Sequence, residues 1–181
     1  MRIVGGKYKG RIFNPGKKFT ARPTTDLAKE ALFNILANRY DLSEMSILDL
    51  FSGTGSIGYE FISREAGEVT FVESNFNHVR FIKDVIEKLE IKNARVVRDD
   101  VFRFLKFTPN KYDLIFADPP FDAPFINDIP KVIFDSGILK QGGTLILEHP
   151  KSFDFSRSAN FKELRKYGKV NFSFFIISQN H

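Results

Sequence analysis

Two periodicities alternate along the chain, and together they predict an ordered series of strands and helices. Short apolar runs bounded by glycine and polar residues predict strands at residues 47–51, 69–73, 94–97, 112–117 and 143–148. Apolar residues at three- and four-residue spacing predict helices at residues 24–39, 56–66, 76–89 and 101–106, the first of them capped by Thr24 or Thr25. Two last strands, at residues 161–167 and 169–178, meet at Gly168 and predict an antiparallel hairpin.

The order of these elements predicts the fold class. Strands that alternate with helices form parallel sheets with helices on both faces. We therefore expect an α/β protein with a Rossmann-like, doubly wound sheet of seven mostly parallel strands that ends in the antiparallel hairpin. Ligands of such sheets bind beyond the carboxyl ends of the strands, so functional residues should follow the strands directly.

Length and composition describe one ordinary globular domain. The chain has 181 residues, of which 43% are hydrophobic and 27% charged, and it contains no cysteine. This excludes disulfides, thiolate metal sites and cysteine nucleophiles. His78, His149 and His181 lack metal-binding spacing and are interpreted as surface or packing residues. Without a secretory signal or a long apolar run, we expect a single domain over residues 1–181 that is cytoplasmic, monomeric and free of metal.

Positive charge is concentrated at the amino terminus. Residues 1–25 contain no acid before Asp26 and seven basic side chains, whereas the other 156 residues carry 20 basic and 22 acidic groups. The seven are Arg2, Lys7, Lys9, Arg11, Lys17, Lys18 and Arg22. Strand-like residues 2–4 and 11–13 predict an exposed basic hairpin within residues 1–23, ahead of a core over residues 24–181. Such an arm favours RNA binding, although its lysines could also serve only to protect a solvated edge.

A G-x-G-x-x-G turn directly follows the first core strand, within the stretch LDLFSGTGSIG at residues 48–58. Glycine lets the backbone turn sharply and approach a ligand, and Glu73, which ends the next strand, is placed to accept from ribose hydroxyls. A dinucleotide-binding fold has the same pair, and an incidental Glu73 beside a tight turn is another alternative. Asp49, however, would repel a pyrophosphate and suit an ammonium group. We therefore interpret the turn as the pocket for the methionine end of S-adenosylmethionine.

Two adjacent aspartates, Asp99 and Asp100, follow the third core strand, where the adenine of such a cofactor would lie. The carboxylate of Asp100 can accept from the adenine amino group, and the neighbouring backbone N–H can donate to a ring nitrogen. One of the two aspartates could instead cap the helix that begins at Val101. Both roles stay open, one for each aspartate.

The fourth core strand is followed by Asp118-Pro119-Pro120-Phe121. Two prolines hold the backbone rigid and remove two N–H donors, which leaves carbonyls as acceptors. A carboxylate with a fixed carbonyl suits an –NH₂ group, Asp118 would relieve the positive charge that develops on it, and Phe121 offers a face on which an extruded base can stack. The alternative is that these residues form only a rigid loop and that Phe121 lies in the core. The spacing of most other phenylalanines, including Phe102, predicts that they are core residues.

Together these segments resemble the RsmD family of class I S-adenosylmethionine-dependent methyltransferases, bacterial enzymes that methylate N2 of a guanine in 16S ribosomal RNA. The resemblance rests on residues 48–56 and 118–121, is sharpened by residues 2–11, 22–25 and 31–36, and extends over nearly the whole chain except the region after Glu148. It implies that Asp118 to Phe121 hold the guanine and that the basic arm grips RNA. The implied cofactor-binding residues are Arg22, Thr24, Asp49, Phe51, Ser52, Gly53, Thr54, Gly55, Glu73, Ser74, Asp100 and Val101.

The expected function is therefore methyl transfer from S-adenosylmethionine to guanine N2 in 16S ribosomal RNA, with an assembling small ribosomal subunit as the expected partner. Adenine N6 in DNA or RNA is the alternative acceptor, because the Asp118 loop fits either amine. A nucleotide-dependent oxidoreductase would share the glycine turn, but Asp49 and the lack of a second substrate domain count against it. A non-catalytic RNA-binding module would need no intact Asp118 loop.

Overall fold

A computed structural model describes residues 1–16, 19 and 24–178 of the chain. Its strands are β1 (Ser46–Leu50), β2 (Glu68–Glu73), β3 (Ala94–Arg98), β4 (Tyr112–Ala117), β5 (Leu139–Pro150), β6 (Phe161–Tyr167) and β7 (Val170–Ile176). The α-helices of these ranges are α1 (Asp26–Arg39), α2 (Ser56–Ser63), α3 (Phe76–Lys88), α4 (Val101–Phe107) and α5 (Ile129–Ser136). Lys17, Lys18 and Arg22, three of the predicted site residues, lie outside the described residues.

The seven strands form one sheet in the order β3-β2-β1-β4-β5-β7-β6. Strands β1 to β5 are parallel, whereas β7 runs antiparallel between β5 and β6, so the predicted sheet and its hairpin are confirmed. The direction of the strand order reverses between β1 and β4, which pair from Ile47↔Leu114 to Leu50↔Ala117. A crevice at such a reversal is where open α/β sheets bind ligands.

Helices cover both faces of the sheet, as the pattern predicts. On one face of the sheet, α1, α2 and α3 pack on one set of strand side chains through Phe33, Phe61 and Ile82, respectively. On the other face α4 and α5 pack with the opposite set, through Leu105 and Ile133. None of the helices in the described ranges has the length and apolarity of a membrane span.

Several elements differ from their predicted bounds. Helix α5 has no counterpart in the prediction, because Pro130, which usually marks the end of a helix, lies in its first turn, where proline is tolerated. Strand β5 begins at Leu139, four residues before the predicted strand. Helix α2 ends at Ser63 and not near residue 66, because Glu65 adopts a left-handed conformation with φ 63°. Thr25 caps α1 through a 3.2 Å bond that its hydroxyl accepts from the Ala28 N–H.

The amino-terminal arm, residues 1–13, forms the predicted antiparallel pairing, in which the Ile3 N–H donates to the Arg11 carbonyl at 3.0 Å, and its basic side chains are exposed. The prediction does not include the docking of the arm on the core. The arm contains a single antiparallel bridge, Arg2↔Ile12, and Ile3 is only 1% exposed. The Lys7 N–H donates to the carbonyl of Ser63 at 2.7 Å. Because Ser63 is the last residue of α2, the tip of the arm lies at the opposite end of this helix from the glycine turn, about 10 Å away along its axis.

A buried ion network anchors the arm. Lys29 on α1 and Glu60 on α2 are 1% and 0% exposed, and their side chains approach to 3.4 Å. Glu60 accepts from the Val4 N–H and pairs with Arg64, and Lys29 donates to the carbonyl of Arg2. The backbone of the arm thus satisfies charges that lie inside the protein, which explains why the arm is not free.

Candidate active site

Four acidic residues lie at or near the carboxyl ends of parallel strands: Asp49 on β1, Glu73 on β2, Asp118 after β4 and Glu148 on β5. Ala117 pairs with Leu50 on one side and with Leu147 on the other. The sheet register therefore brings Asp118 next to both the turn after β1 and Glu148. None of the ion pairs among the described residues includes Asp49 or Asp118.

Asp49 is a buried carboxyl group, 2% exposed, at the base of the glycine turn. Burial raises the pKa of Asp49 to about 8, an effect that the Gly58 N–H opposes by donating to the carboxyl at 3.1 Å and that the charge of Glu73 reinforces. A positive ligand charge would favour the ionised form of this group.

The glycine turn is fixed by backbone conformation and by Glu73. Gly53 and Gly55 have φ values of 55° and 80°, and a Cβ atom on Gly55 would lie 2.9 Å from the ring of Tyr59. The Gly53 N–H donates to one oxygen of Glu73 at 2.8 Å, and the Asn75 N–H donates to the other at 2.8 Å. Glu73 therefore shapes the turn, in addition to the ligand contact predicted for it.

His78, in the first turn of α3, lies next to Glu73. Its Nδ1 atom is buried, has no hydrogen-bond partner among the described residues and lies 3.6 Å from the Glu73 carboxylate. The ring of Phe19 stacks on the imidazole at a centroid distance of 4.7 Å. The sequence predicts His78 only as a surface or packing residue, because its spacing to the other histidines does not indicate a metal site. Its contact with Glu73 is a consequence of the fold and is not predicted.

Asp118 and Glu148 form the second acidic part of the site. Glu148 is 2% exposed and accepts from the hydroxyl of Thr24 at 2.7 Å, which places Thr24 beside the loop after β4. Desolvation, then the charges of Glu148 and Asp49, raise the pKa of Asp118 well above its usual range. Glu148 is absent from the predicted site, although its position at the end of an apolar strand is the same signal that Asp49 and Glu73 give.

The loop Asp118 to Phe121 presents both the acceptors and the ring that its sequence predicts. Asp118 is partly exposed, Pro119 is buried, and Phe121 is partly buried against the core beneath α1 to α3. The carbonyl of Pro120 accepts from the Ala123 N–H at 2.9 Å, whereas that of Pro119 accepts no hydrogen bond from the described backbone. The Pro119 carbonyl is therefore an open backbone acceptor next to the Asp118 carboxyl, and the predicted role of the two as an acceptor pair stays a prediction.

At the carboxyl end of β3, Asp100 caps α4, which confirms the capping alternative for this residue. Its carboxylate accepts from the Arg103 N–H at 3.0 Å, while Asp99 accepts from the Asp100 N–H at 2.9 Å. Val101, the first residue of α4, is buried, and Ser74 at the end of β2 is exposed. The predicted contact of Asp100 and Val101 with a cofactor stays a prediction.

Three aromatic rings line the space between the glycine turn and α4. Phe51, with φ 57°, stacks on Phe125 at 6.1 Å between centroids, and Phe102 meets Phe125 edge-on at 5.0 Å. The spacing of Phe102 predicts a core residue, but its side chain is partly exposed. Its position at the start of α4, rather than the middle, places the ring at the edge of the sheet.

Three comparisons bear on the identity of the chain. "Ribosomal RNA small subunit methyltransferase D" of Buchnera aphidicola subsp. Baizongia pistaciae is 29% identical over 99% of this chain and 93% of its own length. The protein of the same name from Escherichia coli K12 is 31% identical over 82% of this chain and 74% of its own length. The solved structure of yhhF from Escherichia coli superposes with a TM-score of 0.86 at 27% identity and covers 99% of each chain.

A family model agrees with these relatives and with the fold. The strand order and the helices on both faces are those of Rossmann-like methyltransferases. The model described as "Conserved hypothetical protein 95", which is that of the RsmD family, matches residues 1–176, so this chain belongs to the RsmD family.

Proposed function

We propose that this chain transfers a methyl group from S-adenosylmethionine to the exocyclic N2 amine of a guanine in 16S ribosomal RNA. The observation that carries the proposal is the partly exposed Asp118 carboxyl, held beside Asp49 and Glu148 with no cation paired to it among the described residues. Relatives named ribosomal RNA small subunit methyltransferase D support the coarser statement that the chain is an S-adenosylmethionine-dependent rRNA methyltransferase.

The residues at the carboxyl edge fit S-adenosylmethionine as the cofactor. The buried carboxyl of Asp49 suits the ammonium group, and Glu73 suits the ribose hydroxyls. The rest of the proposed cofactor site comprises Thr24, Phe51, Ser52, Gly53, Thr54, Gly55, Ser74, Asp100 and Val101, with Arg22 beyond the described residues. When bound, the cofactor supplies an electrophilic methyl group on a sulfonium.

The loop after β4 would hold the target amine. The –NH₂ group donates its hydrogens to the Asp118 carboxylate and to the Pro119 carbonyl, which orients the nitrogen lone pair away from both acceptors. Asp118 then stabilises the positive charge that develops on the nitrogen. Phe121 provides a stacking surface for a base that is extruded from the RNA. Because the cofactor is cationic, its arrival would favour the ionised form of Asp118 that this role needs.

The basic arm is the proposed RNA contact. Lys7, Lys9 and Arg11 are exposed, and Lys7 also lies over the ring of Tyr8 at 5.3 Å. Arg2 differs from them because it pairs with Asp26 at 2.8 Å. Exposed cations without acids nearby suit phosphate groups.

Substitution of Asp118 tests the reaction. We expect Asp118→Ala and Asp118→Asn to slow methylation of small ribosomal subunits by about 100-fold to 1,000-fold, because a group that stabilises transition-state charge is lost. The cofactor dissociation constant, measured by calorimetry, should change far less. Asp122→Ala in the same loop is the matched control, since Asp122 is exposed.

Mass spectrometry of the methylated nucleoside tests the acceptor. We expect N2-methylguanosine in 16S ribosomal RNA. N6-methyladenosine would show that the acceptor is adenine, and an Asp118→Ala variant as fast as the parent would show that Asp118 is not catalytic.

A further inference from the structure

Residues 26–181 are nearly neutral as a whole, but they contain a second basic segment. Residues 26–150 carry 14 basic and 20 acidic side chains, whereas residues 151–169 carry six basic and two acidic ones. The six are Lys151, Arg157, Lys162, Arg165, Lys166 and Lys169, and all of them are exposed. This segment is the part of the chain for which the function described above gives no role.

Five of these cations take part in no ion pair among the described residues: Lys151, Arg157, Lys162, Lys166 and Lys169. Arg165 is engaged with Glu163 at 2.7 Å. Arg157 lies in the loop between β5 and β6 and Lys162 near the start of β6, whereas Lys151, Lys166 and Lys169 lie where the end of β5, the end of β6 and the start of β7 meet at one edge of the sheet. We refer to these three lysines as the hairpin cluster.

The sheet register brings the hairpin cluster together. Pro150, Val170 and Tyr167 lie side by side across β5, β7 and β6. Adjacent strands are about 4.8 Å apart, so this row is about 10 Å wide. Each lysine is next to one member of the row along the chain: Lys151 follows Pro150, Lys169 precedes Val170, and Lys166 precedes Tyr167.

The row also lies at the edge of the sheet that carries the candidate active site. Pro150 is two residues beyond Glu148 on β5, and β5 is the neighbour of β4, which Asp118 follows. Strand spacing and rise place the hairpin cluster about 10 to 15 Å from Asp118. The tip of the amino-terminal arm, by contrast, lies beside Ser63 at the opposite end of α2.

We propose that Lys151, Lys166 and Lys169 bind the phosphate backbone of the RNA that flanks the target nucleotide. This inference rests on the proposed function, because it takes ribosomal RNA as the substrate. Lysines on an edge strand also discourage sheet-to-sheet pairing, but that purpose does not require Lys151 and Lys169, which lie outside β6. Cations at this edge would fix the strand on either side of an extruded base, where the tip of the arm does not reach.

A matched pair of triple variants tests the hairpin cluster. The test variant is Lys151→Gln, Lys166→Gln and Lys169→Gln, and the control is Lys83→Gln, Lys88→Gln and Lys92→Gln, three exposed lysines of and beyond α3. Both variants lose three charges. We measure the affinity for a 16S ribosomal RNA fragment from 50 to about 300 mM salt, together with methylation of small subunits.

The hairpin-cluster variant should bind RNA about 10-fold more weakly than the control variant, and the slope of log affinity against log salt should fall by about two units. KM for the subunit should rise, with cofactor affinity unchanged. If both variants bind and methylate alike while the parent is active, this inference is wrong and the proposed function stands. If the parent itself methylates no ribosomal RNA, the proposed function fails, independently of the binding titration.

Discussion

Among the described residues, buried acidic groups lie in two regions, one near each end of α2, and the two regions differ in how the negative charge is compensated. Near the carboxyl half of α2, Glu60 lies 3.4 Å from Lys29 and pairs with Arg64, so negative and positive groups compensate each other. At its amino end, Asp49 faces other acids, and neither it nor Asp118 pairs with a cation among the described residues.

The difference separates structural charge from functional charge. In a compensated ion pair the two charges neutralise each other, so the pair does not favour binding of a charged ligand. Removal of one partner leaves an uncompensated buried charge that destabilises the fold. A group of like charges is unfavourable in the folded protein and is retained where a ligand or a reaction needs it. The raised pKa values of Asp49 and Asp118 therefore support the proposal that the reaction takes place at the carboxyl edge of the sheet.

Removal of Lys29 is expected to have the largest effect on stability. Lys29→Met leaves Glu60 with less compensation inside the protein and removes the bonds to the Arg2 carbonyl and to the Ser56 hydroxyl. The free energy of unfolding in urea should fall by about 3 kcal/mol. Lys131→Met, at an exposed pair with Asp135, should change it by less than about 0.5 kcal/mol. Equal effects of the two substitutions would contradict the comparison.

The raised pKa of Asp49 should make the free energy of unfolding depend on pH in the protein without cofactor. The pKa of Asp49 is about 8 in the folded state and about 3.9 when unfolded. Between these values the folded protein binds more protons than the unfolded chain, so stability decreases as the pH rises toward 8. The contribution of Asp49 between pH 6 and pH 8 is about 2 kcal/mol.

Urea unfolding at several pH values measures this slope, and Asp49→Asn should flatten it. A stability that stays constant or increases from pH 6 to pH 8 would show that the acids are not held as described. The same variant should also weaken S-adenosylmethionine binding, since it removes the proposed partner of the ammonium group.

The smallest effect on stability is expected for the exposed cations of the arm. Replacement of Lys7, Lys9 and Arg11 by glutamine should change the free energy of unfolding by less than about 0.5 kcal/mol, because the arm is held by backbone bonds and by Glu60. RNA affinity should fall several-fold, with a flatter salt dependence and unchanged cofactor affinity. An RNA affinity equal to that of the parent in a salt titration would remove the arm from the proposed interface.

The sequence predicts much of the fold because local periodicity and strand ends carry the signal. The apolar runs predict all seven strands, and the acids that follow β1, β2 and β4 point to one edge of the sheet. Helix α5 is not predicted because Pro130, usually a signal for a helix end, lies in its first turn. The docking of the arm is not predicted because its contacts are with Lys29 on α1 and Glu60 on α2, which are distant in the chain.

Two features of the site depend on more than local sequence. The bond between Thr24 and Glu148 joins residues 124 positions apart, so no local pattern contains it. The hairpin cluster is obscured when charge is summed over the whole body of the chain, because acids in residues 26–150 cancel the cations of residues 151–169.

Strand β7 follows every other strand along the chain, yet it lies inside the sheet, between β5 and β6. Its side chains enter both cores: Phe172 and Phe174 pack on one face of the sheet and Phe175 on the other. Neither core can close during synthesis until this strand has left the ribosome, since burial of both depends on it. Folding of an enzyme proposed to act on ribosomes is thereby tied to synthesis of its chain through residue 176.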